Sequence, residues 1–148
     1  MTNGHDTAQV RLKEQPAKLS NISRKLEDIG EIARAISGAD REKVTCAFSS
    51  VMNSTLEQRT GIKNIINVIA RKMDDTSAYG DEEIFRIADK RADLQRIDDE
   101  LFDFINLMDC TIEGTPNNPR IFASHFGRSL FAFADRTRML SDELLKVM

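Results

Sequence analysis

Four stretches of this chain carry apolar residues at alternating steps of three and four, and that spacing admits few folds. Leu19, Ile22, Leu26, Ile29, Ala33 and Ile36 form the first seam. Phe48, Val51, Thr55, Gln58, Ile62, Ile65 and Ile69 form the second. The third runs Ile84, Ile87, Arg91, Leu94, Asp98, Leu101, Ile105 and Met108. The fourth runs Phe122, Phe126, Leu130, Phe133, Thr137, Leu140, Leu144 and Val147. A repeat of this kind is a narrow stripe down one side of an α-helix, and it is buried when helices lie nearly parallel.

The breaks between seams are helix-ending chemistry. Ser37-Gly38 stops the first, and Asp40 is placed to cap the second. Asp75 to Gly80 reads as a turn, with Asp81 capping a third helix whose first turn holds Glu82 and Glu83. Glu113-Gly114-Thr115-Pro116-Asn117 reads as a loop, followed by the cap and first-position pair Asn118-Pro119. Short connections between amphipathic helices favour antiparallel neighbours. The expected fold is all-α: an antiparallel up-down four-helix bundle with long helices and a shorter first helix. Pro16 marks the expected start of order, so residues 1–15 are expected to form a flexible segment and 16–148 a single bundle domain.

Composition narrows the function classes. A net charge of −3 on 148 residues, with acids and bases interspersed, disfavours a dedicated nucleic-acid binder. The first residues lack the apolar core of a signal peptide, and no apolar run approaches the ~20 residues of a membrane span. A cytoplasmic protein is expected. Cys46 and Cys110 lie beside apolar seam positions and read as small buried thiols. With two His and two Cys, neither a zinc ligand spacing nor the Glu-x-x-His pairs of di-metal bundles can be assembled, so no metal or cofactor is expected.

Two consequences follow from register. Folding the hairpins about residues 78 and 114 sets Gln58 level with Asp98, and Arg91 level with Thr137, which predicts that the polar seam residues gather in two neighbouring layers inside the bundle. A first helix starting at Pro16 covers only half of the second. It would leave Ile62, Ile65, Ile66, Val68, Ile69 and Met73 as a wide apolar surface, which either closes on itself, is covered by residues 1–15 folding back through Val10 and Leu12, or remains an apolar groove for a partner helix or a second subunit. The leading expectation is therefore a non-enzymatic bundle that binds another protein or itself through that end.

One short motif points elsewhere. In Ser124-His125-Phe126-Gly127-Arg128-Ser129 an imidazole sits one position from the apolar seam, with Arg128 on its face and small Ser129 beside it. This resembles the His-x-x-Lys-Gly pattern of histidine-containing phosphotransfer domains, which are also four-helix bundles. Arg stands for Lys, Ser for Gly, and Gly127 where Leu is usual. The resemblance spans five residues and implies phosphoryl transfer through His125, with Arg128 neutralising the bound group.

Overall fold

The computed structural model describes residues 4–36, 41–73, 80–113 and 119–147, with side chains described over 13–36, 46–71, 80–110 and 123–147. Four α-helices account for them: α1 (Gly4–Ile36), α2 (Arg41–Met73), α3 (Asp81–Glu113) and α4 (Pro119–Val147). They are arranged in ring order and each runs against its neighbours. Arg59 of α2 meets Asp98 of α3, while Lys90 and Glu100 of α3 meet Glu143 and Arg136 of α4. Ser23 and Pro16 of α1 meet Ala134 and Ser141 of α4. The up-down four-helix bundle is thus the observed fold. Among the described residues no helix is long and apolar enough to cross a membrane.

The seams are the core. Every first-seam and second-seam residue named above is buried, as are Ile87, Leu94, Asp98, Leu101, Ile105 and Met108 of the third. In the fourth, Phe126 to Leu144 are buried. At one end three aromatic contacts close the bundle. Phe126 meets Phe48 and Phe104 edge-on, at 5.5 and 5.4 Å between centroids, and Phe104 meets Phe133 at 5.6 Å. Edge-to-face packing places the positive ring edge on the negative ring face, a preference beyond area alone.

The first helix departs from expectation. It is not short: at 33 residues it equals α2 and α3, and it passes through Pro16. Proline in a helix interior removes one N–H bond and crowds the preceding turn, a cost of about 3 kcal/mol in isolation. Tertiary packing offsets it here. Pro16 and Gln15 are both buried, and Ser141 Oγ of α4 donates a 2.7 Å hydrogen bond to the Pro16 carbonyl. Seven residues on, Ser23 Oγ donates to Ala134 O at 2.7 Å, and seven further Gly30 faces Gly127. Small residues at heptad spacing on both helices let α1 and α4 approach closely along their length. A helix already anchored at Ser23 and Gly30 continues past Pro16 because its buried face is continuous.

This removes the expected groove. Ile62, Ile65, Ile66 and Ile69 are buried, because residues 13–22 of α1 lie level with that stretch of α2. Val68 is half-buried; the Met73 side chain lies outside the described residues. Also outside them are Asp40, Ser37-Gly38, Asn118 and the Phe122 side chain. At the start of α3 the cap position falls to Gly80, whose carbonyl accepts the Ile84 N–H at 3.1 Å, and Asp81 is the first helical residue.

Candidate interaction face

The polar seam residues do not gather into one site. Asp98 is 2% exposed and pairs with Arg59, whose Nε lies 3.1 Å from its Oδ1. Gln95 Nε2 contributes at 3.5 Å, and the Arg59 guanidinium lies 4.5 Å over the Phe102 ring. Stacking on a flat ring suits a guanidinium, which is weakly hydrated on its faces. Thr55 and Thr137 satisfy themselves instead, each hydroxyl donating to the carbonyl four residues back. Gln58 is buried on α2.

Arg91, expected beside Thr137 in the layer, is exposed, since a long stem lets its charge reach water. The Lys90–Glu143 and Glu100–Arg136 pairs fix a register of α3 against α4 that is shifted from the expected one. That shift sets Thr137 level with Asp98 rather than Arg91. No buried polar side-chain atom among the described residues lacks a partner. What results is an ion pair on the α2–α3 flank and two locally satisfied threonines. Arg59 is the member that sequence reasoning missed. Its signal was a basic residue beside the seam, level with a seam carboxylate.

The phosphotransfer motif sits on the outer side of α4. His125 and Arg128 are exposed, Ser129 is half-buried, and Phe126 beneath them is buried. The thiols also differ from expectation: Cys46 and Cys110 are both exposed. Each lies two positions from a buried seam residue, Phe48 or Met108. At 3.6 residues per turn that is about 200° round the helix, on the far side. Among the described residues no group of three His, Cys, Asp or Glu side chains is placed to hold a metal ion.

Open clefts run between neighbouring helices among the described residues. One of about 220 Å³ lies between α3 and α4, under Arg96, Arg136, Met139 and Glu143. Another of about 280 Å³ lies between α1 and α2, lined by Ile22 of α1 and by Gly61, Asn64 and Val68 of α2. The charged groups around the first are held in ion pairs, Asp93 with Arg96, Arg136 with Glu100 and Glu143 with Lys90.

The solvent face of α2 is the distinctive surface. Between Cys46 and Arg71 it has ten exposed positions, and only Glu57, Lys63 and Arg71 are charged. The described exposed positions are far more charged elsewhere: nine of thirteen on α1, eleven of eighteen on α3 and seven of eleven on α4. The uncharged members on α2 are Cys46, Ser50, Asn53, Leu56, Thr60, Asn64 and Asn67. Together with Glu57 and Arg71 they form two adjacent heptad rows, Ser50-Glu57-Asn64-Arg71 and Cys46-Asn53-Thr60-Asn67, with Leu56 beside them. Leu56 is 38% exposed, and across the α2–α3 groove Phe102 is 44% exposed.

Helix stability alone does not account for this face. Asn, Ser and Thr are each a few tenths of a kcal/mol poorer helix formers than Glu, Lys or Arg, which are the usual solvent-facing choices. The cores of protein interfaces, by contrast, are depleted in charge. Comparison with known proteins adds no relative: no protein-family model, no curated protein and no solved structure matches the chain.

Proposed function

We propose that this chain is a non-enzymatic helical-bundle protein that acts through protein–protein contact, in an adaptor, scaffold or regulatory role, and that the solvent face of α2 is its contact surface. The observation that carries this reading is the low charge of that face in a chain with 30% charged residues. Desolvating amides and hydroxyls costs far less than desolvating carboxylates and ammonium groups. The reading places the protein in the cytoplasm. Two free, exposed thiols support that, since a reducing compartment keeps such groups unpaired.

The test is the triple variant Asn53→Lys, Thr60→Glu, Asn67→Lys. Helix propensity predicts unfolding stability unchanged or raised by a few tenths of a kcal/mol per site. The proposal predicts that protein association, by sedimentation of the purified chain and by recovery of bound protein, is lost. Unchanged association would place the contact surface elsewhere.

A second reading, phosphoryl transfer through His125, is favoured by one observation. The imidazole and the Arg128 guanidinium are both exposed on α4.

A further inference from the structure

Of the three charges on the α2 face, Lys63 lies off the row through Asn64, and the other two say what covers the face. Glu57 and Arg71 belong to one heptad row, with Asn64 midway between them, seven residues from each. All three are exposed, and neither Glu57 nor Arg71 has an ion-pair partner among the described residues. At 1.5 Å rise per residue each charge stands roughly 10 Å along the helix from Asn64, on opposite sides of it.

We propose that the α2 face docks a second copy of this chain, antiparallel, with the two-fold axis passing through Asn64. This rests on the reading of the α2 face as a protein contact and names its occupant. A two-fold interface places the same patch on both subunits, so each residue meets the one equally far beyond the axis. Glu57 then faces the Arg71 of the other copy, and Arg71 its Glu57, giving two equivalent ion pairs. Thr60 faces Val68, and Asn67 faces Gly61. At the axis Asn64 meets itself. An amide carries both donors and an acceptor, so two copies can exchange reciprocal hydrogen bonds.

The parallel alternative sets Glu57 on Glu57 and Arg71 on Arg71, and like charges held face to face oppose it. A single polar pair at the seam centre also fixes register, the role a lone Asn plays in coiled coils.

The experiment uses the full-length chain and light scattering across a concentration series, with circular dichroism confirming that each surface variant stays helical. The wild type is expected to reach twice the 16.7 kDa chain mass. Glu57→Arg and Arg71→Glu alone are each expected to weaken dimerisation tenfold or more. The double variant, with both charges exchanged, is expected to regain wild-type dimerisation, which a merely damaged surface would not do. In a Cys46→Ser, Cys110→Ser background, Asn64→Cys is expected to form an inter-chain disulfide on oxidation, because only a residue at the axis brings its own Cα within the ~4.4–6.8 Å a disulfide spans. Asn53→Cys is expected not to. A wild type that stays monomeric, a double variant as weak as the singles, or Asn53→Cys linking as readily as Asn64→Cys would overturn the proposal. A monomeric wild type would refute the dimer alone, because loss of some other bound protein in the triple variant would still be measurable.

Discussion

Gly127 packs so closely on Gly30 that a Cβ at residue 127 would stand 3.0 Å from the Gly30 carbonyl oxygen and 2.6 Å from Arg34 Cγ. The first of these is backbone and has nowhere to go. Gly127→Ala is therefore expected to lose stability despite a helix-propensity gain of about 1 kcal/mol, because forcing α1 and α4 apart costs about 1–3 kcal/mol. Gly61→Ala should behave oppositely. Its nearest neighbour is Ile22 Cδ1 at 3.0 Å, the mobile end of a side chain. There the propensity gain of up to about 1 kcal/mol decides the sign. Urea unfolding midpoints moving in opposite directions would bear this out; a more stable Gly127→Ala would show that the α1–α4 seam is looser than described.

Arg59 and Asp98 are unequal partners. The carboxylate is buried, at 2% side-chain exposure, whereas Arg59 keeps 18%. Arg59→Ala strands a buried charge and removes the stack on Phe102, so a loss of about 3 kcal/mol is expected. Asp98→Asn leaves Arg59 able to turn to water and should cost about half as much. Equal losses in chemical denaturation would mean the pair is solvated on both sides.

The Lys90–Glu143 pair sets a pH window. The hydrogen bond that Lys90 Nζ donates to Glu143 Oε2 holds the Lys90 ammonium above lysine's ordinary value, with burial acting in the opposite direction. A pKa raised on folding favours the folded state while the lysine is protonated in both states. That contribution is complete below the unfolded value of 10.5 and disappears as pH climbs through the folded one. Both side chains are partly exposed, so about 0.2–1 kcal/mol is expected. The stability gap between wild type and Lys90→Met should be flat from pH 7 to about 10 and shrink above that. A gap that widens in alkali would reverse the sign assigned here.

The bundle was legible from the seams because burial on one face leaves a three–four spacing that no loop or strand reproduces. Leu19 to Ile36 and Phe48 to Ile69 are buried residue for residue. Pro16 misled for a definite reason. Its local cost is visible in the sequence, but the hydroxyl of Ser141, 125 positions away, is not. With α1 taken as short, Ile62 to Ile69 read as a groove when they are core. The threonines of the polar layer were legible as buried and not as self-satisfied, since back-bonding within a helix depends on rotamer. Arg91 shows the matching weakness: a heptad position predicts where the Cα lies, and a long side chain can still leave. The α2 face was present as a run of Ser, Asn and Thr, but its meaning required knowing which positions are exposed.

Phosphotransfer is tested apart from association. The non-enzymatic reading predicts that incubating the chain with phosphorylated response-regulator receiver domains gives no acid-labile label. Label that vanishes in His125→Gln and falls in Arg128→Ala would establish the second reading, since Arg128 shares the exposed side of α4 and carries the charge a phosphoryl group needs.

The central claim is that the α2 face is covered by protein when this molecule works. The most direct measurement places a photo-crosslinking side chain at one exposed position at a time: Asn53, Thr60, Asn64 and Asn67 on α2, with Asp28 on α1, Asp99 on α3 and Arg138 on α4 as controls. Irradiation followed by mass analysis should give protein adducts from the α2 positions and none from the controls. Adducts from α1, α3 or α4 with none from α2 would contradict the account.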